Sequence, residues 1–171
     1  FALFRSLPNS YVFSPCDAIS TTKIVSELQK LEGVKYIRTL RPKTPIIYNS
    51  KQDFPPHDFK ILRSNPHDKI VLIGTGITVH EAIKAQNILE QEGINAAVID
   101  SYCIKPFPAH KLEAFLSNHG GKYVVVEDHY PEGGLGEAVK SALSDEPKVP
   151  IIHLAVRKTP RSGKAAELLA H

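Results

Sequence analysis

Residues 126–139, VEDHYPEGGLGEAV, combine glycines and acidic side chains in a pattern that could bind an ion. Glycines permit close backbone approach, and free amides at a helix start can bind an anion. Carboxylates beside such a site would repel a phosphate and suit a cation, an arginine partner or a subunit contact better. The glycines are Gly133, Gly134 and Gly136, and the carboxylates are those of Glu127, Asp128 and Glu132. The run therefore predicts a strand-to-helix turn at a packing or subunit interface rather than a catalytic loop.

Arg38 and Arg41 are the candidate anion-binding side chains. Arg41 follows the carboxyl end of a predicted strand, where open α/β sheets gather their ligands. Its guanidinium could hold a phosphate through two parallel hydrogen bonds. The alternative is a solvated or ion-paired arginine, and the spacing alone leaves the two alternatives equal.

Gly74-Thr75-Gly76 lies between a predicted strand and a predicted helix, as a dinucleotide-binding turn does. Asp100 ends the next strand, where an acid that binds a ribose could lie. Val79 occupies the place of the third glycine, so a helix and a pyrophosphate could not approach in the usual way. We therefore predict a tight turn rather than a nucleotide site.

Two further motifs are incomplete. A helical zinc motif begins at His80, but its second histidine would fall at Lys84. RSGK, residues 161–164, resembles the end of a phosphate-binding loop, but Ala165 replaces the hydroxyl that would hold magnesium. The histidines show no ligand spacing, so we predict that His80 and His153 are hydrogen-bonded core or interface residues.

A β-α-β unit at the start of the chain must position the arginines. Residues 10–15 and 34–40 predict two strands because they are rich in β-branched and aromatic residues. Asp17 or Ser20 can cap a helix between them, which runs to about Lys30. Two strands alone do not make a stable domain, so this unit is predicted to be part of a larger one.

After a proline-rich linker, residues 59–63 and 69–74 flank a turn and predict an antiparallel pair at a sheet edge. From there on, strands alternate with helices and are apolar on both faces. The predicted helices cover 78–92, 108–118 and 134–143, the further strands cover 95–99, 122–127 and 150–156, and the tail 157–171 adds a loop and a last helical segment. The predicted fold class is α/β: a mostly parallel sheet with helices on both faces, preceded by a partial β-α-β piece of a second α/β domain.

Composition excludes several classes of function. The 171 residues carry a net charge of +3, which is too small for a nucleic-acid footprint. No apolar run approaches the roughly 20 residues that span a bilayer, so we expect no membrane partner. Cys16 and Cys103 lie far apart, which favours a reduced, cytoplasmic protein. The sequence lacks methionine and opens without a capping residue, so we expect it to begin inside a longer polypeptide.

Several strings, taken in order, resemble the C-terminal part of a transketolase, and most closely the animal type. They are FRSLPNSYVFSPCDA, IRTLRP followed by IIYN, GTGITVHEA, IDSYCIKP, VEDHYPEGGLGEAV, HLAV and PRSGK. The resemblance covers essentially the whole chain. Related thiamine enzymes would lack EDHYPEGG and PRSGK in this form.

The resemblance implies a domain organisation and an activity. Residues 1–45 would end a pyrimidine-binding domain, residues 46–59 would be a linker, and residues 60–171 would form the transketolase C-terminal domain. Such enzymes hold thiamine diphosphate and a divalent metal, magnesium or calcium, between the two subunits of a homodimer. They transfer a two-carbon ketol unit from a ketose phosphate to an aldose phosphate, and the cofactor supplies the chemistry.

One functional residue carries over from the family. The arginine that binds the terminal phosphate of the substrate falls on Arg41, which favours function for Arg41 and a structural role for Arg38. The family's activating glutamate, its aminopyrimidine-stacking aromatic residue and its diphosphate–metal motif have no counterpart in this sequence. The resemblance therefore implies no catalytic, cofactor-binding or metal-binding residue here, and we expect the chain alone to be inactive.

Two interpretations stay open. The chain is a piece of a transketolase, or one subunit of a split transketolase that needs an N-terminal partner chain. Alternatively, it is a non-catalytic dimerisation or regulatory α/β domain that binds another small anion, because fold alone does not determine function.

Overall fold

The computed structural model describes residues 1–119, 121–144, 150–160, 162–164 and 167–168. These residues form two β-sheets with helices packed against them. The helices are α1 (Ala2–Arg5), α2 (Ala18–Leu28), α3 (Ile77–Gln91), α4 (Ala109–Leu116) and α5 (Leu135–Ala142). The strands are β1 (Ser10–Phe13), β2 (Val34–Ile37), β3 (Lys60–Arg63), β4 (Ile70–Gly74), β5 (Ala96–Asp100), β6 (Cys103–Lys105), β7 (Lys122–Val126) and β8 (Ile151–Leu154).

The first part of the chain forms the predicted β-α-β unit. Asp17 caps α2, because its carboxylate accepts a hydrogen bond from Ser20 N at 2.7 Å while Ser20 Oγ accepts one from Asp17 N at 3.1 Å. This reciprocal capping box satisfies backbone N–H groups that a helix start leaves free. Gly33, at a φ of 97°, turns the chain into β2, which pairs in parallel with β1.

The larger sheet has the strand order β3-β5-β4-β7-β8, and its pairs are parallel except for β3 with β5. Alternate residues of β4 face opposite sides of the sheet. Val71 and Ile73 join the core cluster that includes α4 and α5, whereas Leu72 packs in a cluster with Ala82 of α3. Helices therefore cover both faces of a mostly parallel sheet, which confirms the predicted fold class.

The predicted antiparallel pairing of residues 59–63 with 69–74 is wrong. β3 is antiparallel, but it pairs with β5, where Ile61 lies opposite Ile99. β4 instead lies between β5 and β7. The burial of the two strands explains this arrangement, because β4 is buried almost throughout, whereas β3 alternates between half-buried and exposed residues as an edge strand does.

The short elements α1 and β6 are not predicted from the sequence pattern. β6 pairs antiparallel with β1, so the smaller sheet has the order β2-β1-β6. The side chains of β1 and β6 pack together in two apolar clusters: Val12 with Ile104 in one, and Phe13 with Cys103 in the other. The first of these clusters comprises Phe1, Val12, Ile104 and Ala138, with Phe4, Tyr36 and Phe107 packed against it. A strand from the second half of the chain thus completes the sheet of the first unit.

Of the tail 157–171, for which a loop and a last helical segment are predicted, residues 161, 165–166 and 169–171 lie outside the described residues. Of this tail, Gly163 and Leu168 line an open cavity together with Arg41. In the part of the chain that the structure describes, no helix is long and apolar enough to cross a membrane.

Candidate functional site

Glu127 fills the anion site at the start of α5. Its carboxylate accepts hydrogen bonds from the backbone N–H groups of Leu135 at 2.7 Å and Gly136 at 2.9 Å. It accepts a third from Nε2 of His153 at 2.7 Å, and the two side chains are 0% and 4% exposed. The amides and helix dipole that could have held a phosphate therefore hold a carboxylate of the chain itself.

The glycines of the 126–139 run allow close packing. A Cβ at Gly134 would overlap the Glu127 carboxylate, and a Cβ at Gly136 would overlap the His153 ring. Gly133 has a positive φ of 68°, a conformation that residues with side chains rarely adopt. The run is a packing turn between β7 and α5, as the sequence predicts.

Arg38 is the arginine partner of the acidic run. Its guanidinium donates to the two carboxylate oxygens of Asp128 at 3.0 and 2.7 Å, and to the Asp128 carbonyl at 3.2 Å. Burial raises the pKa of Asp128, and the charge of Arg38 opposes that rise. This bidentate pair fastens the end of β2 to the acidic run, which is the structural role expected of Arg38.

Arg41 lies shortly after Arg38, exposed on the loop that follows β2. Within the described residues, its guanidinium is engaged in neither a hydrogen bond nor an ion pair. Together with Pro42, Gly163 and Leu168, it lines an open cavity of about 400 Å³. A free guanidinium beside an open cavity can receive a phosphate through two parallel hydrogen bonds.

The carboxyl end of the larger sheet, where α/β proteins usually bind ligands, is filled by the first unit. Gly76 turns β4 into α3 at a φ of 56°, and its N–H donates to the Ser14 carbonyl at 3.2 Å. A Cβ at Gly76 would lie 2.9 Å from Ser14 Oγ. Ser14 thus takes the space that a pyrophosphate would need, and the structure has the tight turn that the sequence predicts.

Asp100 is fully buried at the end of β5. Tyr48 donates a hydrogen bond from its hydroxyl to Oδ2 at 2.7 Å, and the Cys16 thiol donates to the same atom at 3.3 Å. Burial raises the pKa of Asp100 to about 7, and these two hydrogen bonds offset the effect of burial only in part. Asp100 therefore connects the sheet to the linker and is not placed to bind a ribose.

Asp17 fastens the linker to the first unit. Besides capping α2, its carboxylate accepts hydrogen bonds from the backbone N–H groups of Ile47 at 2.8 Å and Tyr48 at 3.0 Å. Thr44 donates from Oγ1 to the Cys16 carbonyl at 2.9 Å. Burial acts to raise the pKa of Asp17, but the hydrogen bonds that it accepts together lower this pKa, so the carboxylate stays ionised at neutral pH.

His80 and His153 are hydrogen-bonded core residues, as predicted: His80 donates from Nε2 to the Cys16 carbonyl at 2.8 Å, and His153 binds Glu127. Among the residues with described positions, no group of three or more His, Cys, Asp or Glu could hold a metal ion. The two glycine-bearing helix starts are filled by Glu127 and Ser14. The described residues therefore do not fit the metal or the diphosphate that the resemblance implies for a complete enzyme.

Comparison with known proteins agrees with the resemblance. The family model described as "Transketolase, C-terminal domain" matches residues 59–171. The chain belongs to the transketolase family. Transketolase-like protein 1 of Bos taurus is 46% identical and transketolase of Homo sapiens is 44% identical, each over 98% of this chain.

The chain spans only 28% and 27% of the length of these two transketolase relatives. A solved structure described as "Split gene transketolase, inactive beta4 tetramer" matches it with a TM-score of 0.85 at 35% identity, over 92% of this chain and 52% of that chain. The chain thus corresponds to part of a transketolase and has the transketolase fold.

The sequence pattern of this transketolase-family chain predicts only part of the structure near Arg41. This pattern predicts Asp17 or Ser20 as the cap of α2 and assigns no role to Thr44 or Tyr48. The burial of Tyr48 could have been predicted from its residue type, because an aromatic residue in a polar, proline-rich linker needs a packing partner. The structure buries Tyr48 against Phe54, with ring centroids 4.8 Å apart.

Proposed function

We propose that this chain supplies the C-terminal part of a cytoplasmic transketolase, which transfers a two-carbon ketol unit from a ketose phosphate to an aldose phosphate. Residues 1–45 end the pyrimidine-binding domain, residues 46–59 are the linker, and residues 60–171 are the C-terminal domain. The chain contributes Arg41 for the terminal phosphate of the sugar. It also contributes packing contacts to the remainder of the enzyme.

The exposed guanidinium of Arg41, which has no hydrogen-bonding or ionic partner among the described residues, carries this proposal. Arg38 and Arg41 come from the same short stretch, but Arg38 is already paired with Asp128, whereas Arg41 is exposed beside an open cavity. A charge-assisted, bidentate contact to a phosphate is geometrically available only to a guanidinium that is not otherwise occupied. Arg41 therefore binds the phosphate and Arg38 holds the loop.

The cofactor contacts come from another polypeptide or from residues outside this sequence. Thiamine diphosphate, with magnesium or calcium, supplies the carbanion chemistry when it is bound, but the described residues do not fit either group. We assign them to residues of the complete homodimeric enzyme that this sequence does not contain, or to an N-terminal partner chain. The description of the similar split-gene protein as an inactive β4 tetramer supports a need for a partner.

The chain alone is expected to show no ketol transfer. Mixed with thiamine diphosphate, magnesium and a ketose phosphate donor, it should give turnover at the level of the buffer control, because its described residues fit neither cofactor nor metal. Adding a polypeptide that carries the cofactor-binding part should restore turnover. Turnover by the purified chain alone would contradict this assignment.

Arg41→Ala is expected to weaken transition-state binding of phosphorylated donors by about 1.5–3 kcal/mol, because a charged hydrogen-bonding contact is lost. The measurement is kcat/KM in the enzyme assembled from this chain and its cofactor-binding partner. A donor without a phosphate should be used at nearly the same rate by the wild type and the variant.

Two further variants sharpen the Arg41 experiment. Arg41→Lys keeps the charge but loses the planar fork, so it should recover only part of the lost affinity. Arg157→Ala removes another exposed arginine, which donates to the His153 carbonyl, and should leave donor kinetics unchanged. Wild-type kinetics for Arg41→Ala would remove Arg41 from the site.

The second candidate function is a non-catalytic dimerisation or regulatory domain that binds another small anion through Arg41. The observation in its favour is that the carboxylates of Glu127 and Asp100 and the histidines His80 and His153 are engaged in buried packing contacts. Complex formation with a cofactor-binding partner but without turnover would favour this function. Calorimetry with nucleotides and sugar phosphates would then identify the anion.

A further inference from the structure

The loop that carries Arg41, residues 39–43, is held firmly at its upstream end. Arg38 N donates to the Phe13 carbonyl at 2.9 Å, so the backbone continues the pairing of β2 with β1. The Arg38 guanidinium donates two hydrogen bonds to the Asp128 carboxylate and one to the Asp128 carbonyl, and its side chain is 28% exposed. The chain thus enters the loop from a fixed point.

The downstream end is held by the segment 44–48, which we name the strap. Thr44 Oγ1 donates to the Cys16 carbonyl at 2.9 Å. The Asp17 carboxylate accepts the N–H groups of Ile47 and Tyr48. The Tyr48 hydroxyl then reaches Asp100 at 2.7 Å, so the strap bridges the first unit and the larger sheet.

An exposed arginine on a loose loop would lose conformational entropy when it binds a ligand. In a loop that is fixed at both ends, most of the backbone conformational entropy is lost before the ligand binds. Pro42 within the loop and Pro45 just after it further restrict the φ angles. Binding sites reach useful affinity when the groups behind the contact residue hold it in place. The strap has the contacts for that task although it does not contact the cavity.

We propose that the hydroxyls of Thr44 and Tyr48 are positioning groups that hold the Arg41 loop in its phosphate-binding geometry. The inference rests on the proposed function, because Arg41 must be the phosphate residue. Thr44 and Tyr48 touch no substrate and act through Arg41. They therefore affect affinity for a phosphorylated substrate and leave the chemical step unchanged.

The test uses two substitutions that remove one hydroxyl each, Thr44→Val and Tyr48→Phe. In the chain, hydrogen exchange of the backbone amides of residues 39–48 should become faster by at least about tenfold, because the strap opens more easily. In the assembled enzyme, KM for a phosphorylated donor should rise at least about threefold while kcat stays constant. Thr44→Ser, which keeps the hydroxyl, should show the wild-type exchange rates and the wild-type KM.

Matched controls remove the same groups elsewhere. Thr22→Val deletes a hydroxyl that donates to the Ala18 carbonyl on an exposed face of α2. Tyr123→Phe deletes one that donates to the His119 carbonyl. Both controls should show wild-type exchange in residues 39–48 and wild-type KM. If Tyr48→Phe does not fold, the test rests on Thr44→Val and Thr44→Ser, because Thr44 is half-exposed.

The outcomes separate this inference from the proposed function. If Arg41→Ala raises KM but Thr44→Val and Tyr48→Phe behave like their controls, the positioning role is overturned and the phosphate role stands. If Arg41→Ala leaves KM unchanged, both fall. A loss of kcat in the strap variants, with KM unchanged, would also overturn the positioning role.

Discussion

Glu127→Ala is expected to lower the free energy of unfolding by about 3–5 kcal/mol. The substitution leaves the N–H groups of Leu135 and Gly136 and Nε2 of His153 without their acceptor in a dry environment. Each buried donor that is left without an acceptor destabilises the folded state, because water cannot reach it to accept the hydrogen bond. Chemical denaturation of the chain, followed by circular dichroism, measures the change.

Glu137→Ala is the matched control for Glu127→Ala. Glu137 also accepts a backbone N–H near the start of α5, that of Gly133 at 2.7 Å, but its side chain is 54% exposed. Water can replace this acceptor, so the loss should stay below about 1 kcal/mol. Equal losses for the two variants would show that burial of Glu127 is not what makes it important.

The second large effect concerns the pH dependence of stability. Asp100 has a pKa near 7 in the folded chain because burial disfavours its charged form, against an ordinary value near 3.8. The folded state therefore binds this proton more tightly than the unfolded state does. The stability that the group contributes is fully present below about pH 4 and is lost as the pH rises through about 7, by roughly 4 kcal/mol in all.

Asp100→Asn is expected to remove this loss, because an amide does not ionise yet keeps an oxygen that can accept from Tyr48 and Cys16. Unfolding free energies at a series of pH values should give a difference between variant and wild type that moves in favour of the variant as the pH rises. Asp53→Asn, at an exposed aspartate, is the control and should follow the wild type. Parallel curves for Asp100→Asn and wild type would refute the prediction.

Local signals are sufficient for most of the fold. The α2 cap at Asp17 and the glycines that end α2 and α3, Gly33 and Gly93, mark the boundaries of helices within a few residues. The partner of β3 is not a local property, because a strand pairs with whichever neighbour buries it best. Residues 59–63 could therefore be recognised as an edge strand but not placed beside β5.

Likewise, only part of the candidate site can be predicted from the local sequence. Arg41 can be proposed from its position after a strand, whereas the absence of a partner within the described residues depends on the folded chain. The charges of residues 126–139 predict that no phosphate binds there, but they do not reveal that the Glu127 carboxylate accepts hydrogen bonds from the amides. Asp100 has the residue type of a ribose ligand, and only its burial beside Tyr48 excludes that role.

The pairing of β1 with β6 affects how this protein is made. Chains leave the ribosome from the N-terminus, so β1 and β2 emerge long before Cys103–Lys105. Until β6 arrives, one edge of β1 and the apolar side chain of Val12 have no partner from the second half of the chain. Closing so long a loop is slow and leaves the unpaired edge open to aggregation. The nascent first unit is therefore expected to depend on chaperones until translation has passed β6.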